Sequence, residues 1–378
     1  MKINPVLGTL GSNPVTAVQD LARDLRSRGV PLVDFSIGDP REPTPPAISQ
    51  GLKDGVPAIS QYPTTRGLLE LRTAIAGYVR RRFGVEVDPA TQVLPTSGSK
   101  EAIFSAPLAF VDRDATPDVV YPTPGYPIYQ RGAALAGARC RPVPLAGDFV
   151  FRADQVEDWH RAAMVWICSP HNPAGSVMSR GAIEEFVDRS RASDTLLCAD
   201  ECYVDLYDDD PPASVLEVTG GEATGVLSFL SLSKRSGMTG YRSGAVVGDP
   251  AAIAALVSLR TATGTACPEF TQHAAIVAWS DDAHVDERRH IFSQKRAVLR
   301  AAFDELGVPV VGSTAGLYLW VEVGDDVAVT RRLLDHGIVV SPGRAFGAGG
   351  EGYIRLAMVP ALEECGEAAK AVIECLKS

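Results

Sequence analysis

A chain of 378 residues is long enough for a full hydrophobic core and too long for most single cores, so two domains in one compact unit are expected. Apolar residues at 46%, charged residues at 22% and a net charge of -10 describe an ordinary enzyme; without a basic stripe, nucleic acid is not an expected partner. Seven scattered cysteines without a C-x-x-C pair suggest neither disulfides nor a zinc site, and no apolar run approaches the roughly 20 residues that span a bilayer, so a cytoplasmic protein is expected.

Residues 14 to 29, "PVTAVQDLARDLRSRG", have the spacing of an amphipathic helix, with Pro14 near its start and Gly29 at its stop. From about 90 to 250, short apolar runs alternate with helical stretches. "QVLP" leads into "TSGSKEAIFSAPLAF" and "DVVYP" into "TPGYPIYQRGAALAG"; "AAMVWICSP", "DTLLCAD", "VLSFLSLS" and "GAVVGD" follow. Continuous apolar strands separated by helices predict an α/β fold with a mainly parallel sheet covered on both faces. After about 275 a charged helical stretch, "DERRHIFSQKRAVLRAAFDELG", precedes strands in "STAGLYLWVEV" and "YIRLAMV". The expected division is a large domain over 45–275 and a smaller α+β domain from 1–44 and 276–378.

Parallel sheets bind ligands beyond the carboxyl ends of their strands. The residues that follow the apolar runs here are polar: Gly98, Ser99 and Lys100, then Tyr126, Asn172, Asp200, Ser233 and Lys234, and Arg242 after a turn. A lysine at a semi-buried strand end loses hydration of its charged form, which frees the amine as a nucleophile. Lysine forms Schiff bases with aldehydes, and pyridoxal phosphate is the aldehyde cofactor with an anionic handle. Ser231, Ser233 and Arg242 would hold that phosphate, together with the backbone N–H groups of Gly98, Ser99 and Lys100 where a helix starts. Asp200 would keep the ring nitrogen protonated, Tyr203 and Asn172 would reach the ring's phenolic oxygen, and Tyr126 would lie on the ring face. Arg355, interrupting the apolar run "YIRLAM", is the natural bidentate partner of a substrate α-carboxylate. Each residue alone has an ordinary reading, such as a solvated lysine, a capping aspartate or a strand arginine turned to water. Six histidines without paired spacing support neither a metal site nor a catalytic triad.

The pattern resembles the class I/II aminotransferases of fold type I. It rests on "SIGDP" at 36–40, "YPTTRG" at 62–67, "TSGSKEAI" at 96–103, "SPHNPAG" at 169–175, "ADECY" at 199–203, "SLSKRSGMTGYRSG" at 231–244 and "GYIRLAM" at 352–358, in the family's order. The resemblance implies pyridoxal 5'-phosphate as cofactor, a seven-stranded sheet between helices, and catalytic roles for Lys234, Asp200 and Tyr203. It also implies a homodimer in which Tyr62 reaches the phosphate of the neighbouring subunit, and a Gly38 backbone close to the substrate carboxylate.

"SLSKRS" and "FGAGGEGYIRLAMVPALEEC" look most like N-succinyldiaminopimelate aminotransferases, although Met238-Thr239-Gly240-Tyr241 stands where many of these have Pro-Gly. The expected reaction is transfer between N-succinyl-LL-2,6-diaminopimelate and 2-oxoglutarate in lysine biosynthesis. Another donor (aspartate, LL-diaminopimelate, an aromatic or a secondary-metabolite substrate) or a C–S lyase reaction is the alternative. Arg41, Arg66, Arg235 and Arg344 are the sequence candidates for a second substrate carboxylate.

Overall fold

The computed structural model describes residues 1–9, 14–115 and 117–377. A first strand, Val33–Asp34 (β1), precedes seven that build the main sheet: Val93–Thr96 (β2), Asp118–Thr123 (β3), Arg139–Pro144 (β4), Ala162–Cys168 (β5), Leu196–Asp200 (β6), Val226–Ser231 (β7) and Gly244–Gly248 (β8). Their order is β2-β8-β7-β6-β5-β3-β4, and only β8 runs against its neighbours.

The continuous apolar runs are explained by burial on both faces. Side chains alternate across a strand. Met164, Trp166, Cys198, Leu227, Phe229 and Val246 face one layer, which includes the helices Ser99–Phe110, Ile128–Ala136 and Pro250–Thr263. Their neighbours Val165, Ile167, Leu197, Ala199, Val226, Ala245 and Val247 belong to the opposite layer, with Phe186 of the helix Arg180–Ala192. Local signals set the helix ends: Asp249 accepts hydrogen bonds from the Ala251 and Ala252 N–H groups ahead of the helix from Pro250, and Gly264 closes it in the left-handed conformation.

β8 is antiparallel because residues 232–243 hold one helical turn, Leu232–Arg235, and a tight loop. That is too little chain to carry a crossover helix back along the sheet. The reversal matters for the site. It places Arg242, which precedes β8, at the same edge as the residues that follow β2, β5, β6 and β7.

The remaining strands are Val310–Val311 (β9), Tyr318–Glu322 (β10), Ile338–Val339 (β11), Ser341–Pro342 (β12) and Tyr353–Ala357 (β13). An antiparallel sheet of order β12-β13-β10-β9 packs against the long helix Ala283–Glu305 and the final helix Leu362–Lys377 through Leu299, Phe303, Leu319, Leu356 and Val372. β1 pairs in parallel with β11, tying the start of the chain to its last third. The helix expected over 14–29 spans Pro14–Ser27, with Gly29 at φ 82° just beyond it. No described helix is long and apolar enough to cross a membrane.

Candidate active site

A cleft of about 360 Å³ opens at the strand ends. It brings together Gly38, Ser99, Lys100, Tyr126, Asn172, Asp200, Tyr203, Ser231, Ser233, Lys234, Arg242 and Arg355. Gly98 lies at its edge, whereas Tyr62 is fully exposed and does not line the cleft of its own chain.

One end of the cleft is built for an anion. Gly98 caps the helix Ser99–Phe110 at φ 79°, and a Cβ there would come within 2.4 Å of Arg242 Nη2, so only glycine lets the guanidinium approach the helix start. Arg242, itself at φ 56°, is steadied by donating to the Thr239 carbonyl at 2.9 Å and to Ser97 O at 3.5 Å. Ser231 Oγ accepts the Ser233 N–H at 3.2 Å and caps the turn that carries Lys234. Hydroxyls, a guanidinium and first-turn N–H groups thus face one volume.

The Lys234 side chain is half-buried, and its ammonium donates to the Gly38 carbonyl. Burial lowers its pKa to about 8; Arg355 and Arg242 push the same way, against Asp39 and Cys202. Gly38 must be glycine for close approach, since a Cβ would stand 2.5 Å from the Tyr318 hydroxyl.

Asp200 ends β6, opposite Cys168 in the register with β5. Its carboxylate accepts from the Tyr129 hydroxyl at 2.7 Å and the Cys202 N–H at 3.2 Å. Burial raises its pKa against these neutral donors, and among the described residues no cation pairs with it. Across the cleft, Arg355 donates to Asn172 Oδ1 at 3.0 Å and to Ser36 O at 2.7 Å, and its guanidinium lies 4.4 Å from the ring centres of Tyr318 and Phe346. Asn172 Nδ2 donates to the Tyr203 hydroxyl at 3.5 Å, and that hydroxyl meets the Tyr318 hydroxyl at 3.0 Å. Arg355 Nε is buried without a partner among the described residues.

These observations fit pyridoxal phosphate: an anion cradle at one end, a buried carboxylate lacking a cation, a lysine amine poised near neutrality, and a guanidinium with donor capacity to spare. Sequence reasoning missed Tyr129, Tyr318 and Phe346. The three-residue spacing of Tyr126 and Tyr129 on one helical stretch was a signal for the first; Tyr318 and Phe346 look like ordinary core aromatics.

The four arginines expected to meet a second carboxylate do not line this cleft. Arg235 is buried and bound to Asp205 at 2.9 Å and to Ala278 O at 2.6 Å. Arg344 is paired with Asp326 at 2.7 Å, Arg41 lies 3.5 Å from Glu364, and Arg66 donates to Ala90 O at 2.6 Å.

A family profile described as aminotransferase class I and II matches residues 30–372. Among curated proteins, the chain is 38% identical over 341 residues to the 4-dedimethylamino-4-oxo-anhydrotetracycline transaminase OxyQ of Streptomyces rimosus, covering 89% of this chain and 92% of that protein. It is 35% identical over 370 residues to an LL-diaminopimelate aminotransferase of Nitratidesulfovibrio vulgaris, covering 94% and 95%. Among solved structures, an aminotransferase from Neisseria meningitidis aligns with TM-score 0.91 at 32% identity, over 98% of this chain and 99% of the other. A Thermus thermophilus protein described as a "probable N-succinyldiaminopimelate aminotransferase" aligns with TM-score 0.90 at 28% identity, over 96% and 100%.

Proposed function

The chain belongs to the class I and II aminotransferases, which are pyridoxal-phosphate enzymes, and from that premise we propose that it moves the α-amino group of a diaminopimelate-type donor to 2-oxoglutarate. The observation that carries the chemistry is the half-buried Lys234 amine, with a pKa lowered to about 8, sharing a cleft with Asp200 and Arg355. LL-diaminopimelate and its N-succinyl derivative are the donors favoured by the relatives and by the "SLSKRS" motif.

Bound pyridoxal phosphate supplies an aldehyde for lysine and substrate amines and a protonated ring that draws electron density from the substrate α-carbon. Arg355 binds the substrate α-carboxylate and turns the Cα–H bond towards Lys234. Lys234 would hold the cofactor through its amine and, once freed, would take the substrate α-proton and hand it back; burial already lowers the pKa of this amine in the cofactor-free chain, which favours the neutral form that accepts a proton. Asp200 would keep the ring nitrogen's proton in place. Asn172 and Tyr203 would reach the phenolic oxygen, Tyr126 would cover the ring face, and Ser99, Ser231, Ser233 and Arg242 would hold the phosphate. We assign Gly98 and Lys100 to the same cradle and Gly38 to the substrate side.

The organisation we propose keeps 45–275 as the cofactor domain and 1–44 with 276–378 as the smaller one. It is supported by one apolar cluster of the seven-stranded sheet that lies wholly within 45–275, and by the cluster on the four-stranded sheet, whose buried residues other than Tyr203 and Leu206 come from 1–44 and 276–378. We propose a cytoplasmic homodimer.

The test is the visible absorbance of the cofactor-loaded protein titrated with glutamate, N-succinyl-LL-diaminopimelate, LL-diaminopimelate, aspartate or tyrosine. Glutamate and a diaminopimelate donor should each bleach it, and 2-oxoglutarate should restore it. The OxyQ relative supports a second reading, transfer to a ring ketone of a secondary metabolite; bleaching by glutamate but by no diaminopimelate donor, with recovery on adding such a ketone as well as 2-oxoglutarate, would favour it. Pyruvate, ammonia and a free thiol released from a cysteine thioether without an acceptor would mean a C–S lyase.

A further inference from the structure

A second groove of about 340 Å³ adjoins the cleft and shares with it the residues Tyr126, Pro127, Ala345 and Phe346. Phe346 is the link between the two, because its ring also packs on the Arg355 guanidinium. A substrate whose α-carboxylate sits on Arg355 therefore has this groove beside it. Pro122, Pro127 and Pro142, with the rings of Tyr121 and Tyr126, give it walls suited to a methylene chain.

Two arginines line the groove. The Arg344 guanidinium is already committed to Asp326, a carboxylate with no solvent exposure. Arg131, on the helix Ile128–Ala136, is half-buried, and among the described residues its guanidinium has neither a hydrogen-bond nor an ion-pair partner. A guanidinium held in an apolar groove without a counter-ion is a receptor for an anion brought in by a ligand.

We propose that this groove is the distal substrate subsite and that Arg131 binds the far carboxylate of a long-chain dicarboxylic amino donor. This rests on the aminotransferase reading and supplies the specificity determinant that it lacks. Arg131 is absent from the four arginines nominated by sequence, since "YQRGAA" reads as an ordinary exposed helical face.

The experiment compares pimelate with heptanoate, equal in chain length and differing by one carboxylate, binding to cofactor-loaded protein by calorimetry. Wild type should prefer pimelate by roughly 10- to 100-fold, the range for hydrogen bonds to a charged group. Arg131→Ala should erase the preference while leaving heptanoate binding within about twofold, and Arg131→Lys should keep part of it. Equal affinities in wild type, or a preference that survives Arg131→Ala, overturn the proposal. So does a ring ketone without a carboxylate that binds tighter than pimelate and is indifferent to Arg131. If diaminopimelate donors react with an unchanged KM in Arg131→Ala, the subsite falls and the function stands. If no donor reacts while the pimelate preference depends on Arg131, the reverse holds.

Discussion

At the scale of single residues, the chemistry turns on two groups that burial pushes towards neutrality. Lys234 titrates near pH 8, well below an exposed lysine. The same amine in the unfolded chain keeps its proton to about pH 10.4, so between these limits the unfolded chain binds more protons and the stability of cofactor-free protein rises with pH on account of this group. Below pH 8 the cost of burying the ammonium is present in full, about 3 kcal/mol at 1.36 kcal/mol per pH unit. Cofactor-free Lys234→Met should therefore melt above wild type at pH 7, with the curves converging near pH 10; coincident melting at pH 7 would place the amine in water. In the loaded enzyme, Lys234→Ala should abolish turnover, and sustained transamination by that variant would remove the lysine from the mechanism. Asp200 depends on Tyr129 for one of its donors. Tyr129→Phe keeps the stack on Trp166, whose ring centre is 5.1 Å away, but lets the Asp200 pKa climb further. A fall in kcat of about tenfold is expected, the scale of one hydrogen bond to a charged group, and a kcat within twofold of wild type would deny Tyr129 this positioning role.

At the scale of elements, the loop that carries Gly38 is fastened from below. Thr44 Oγ1 donates to Gly237 O at 2.7 Å, Ser341 Oγ donates to Ser36 O at 2.9 Å, and Glu42 receives Lys295 of the helix Ala283–Glu305. Arg288 of that helix lies 3.8 Å from Glu42 and donates to the Lys234 carbonyl at 3.3 Å. Lys295 has no exposed surface, so Glu42→Gln strands a buried ammonium and should cost about 3–5 kcal/mol. Pairing it with Lys295→Met should recover most of that loss, as read by urea denaturation; additive losses would mean that the two residues do not act as a pair. The strand-end site was legible because Asn172, Asp200 and Lys234 each break an apolar run at the same point of the strand-helix cycle. The direction of β8 was not, since an apolar run looks the same in either sense and only the short connection decides it. Nor was the fate of the arginines: Arg235 adjoins Lys234 on one helical turn, yet it faces Asp205 and away from the cleft.

At the scale of the whole molecule, the proposed homodimer explains a stretch of surface that a lone chain leaves bare. Val56 is 58% exposed, Ile59 77% and Tyr62 100%, an apolar run of the kind that marks a contact surface. Among the described residues that line the cleft, none is Val56, Ile59 or Tyr62, so the use of this segment is sought in what it offers another copy. If Tyr62 reaches the partner's phosphate, dimerisation and cofactor binding are linked, and a change at the surface must weaken both. Ile59→Asp should shift the protein towards monomer in sedimentation velocity and loosen the cofactor in the same samples. Tyr62→Phe should leave the dimer intact and weaken cofactor binding by about tenfold, through loss of one hydrogen bond to a charged group. An intact Tyr62→Phe dimer with wild-type cofactor affinity would separate assembly from the site. A wild-type monomer with full activity would show that one chain's cleft is sufficient by itself.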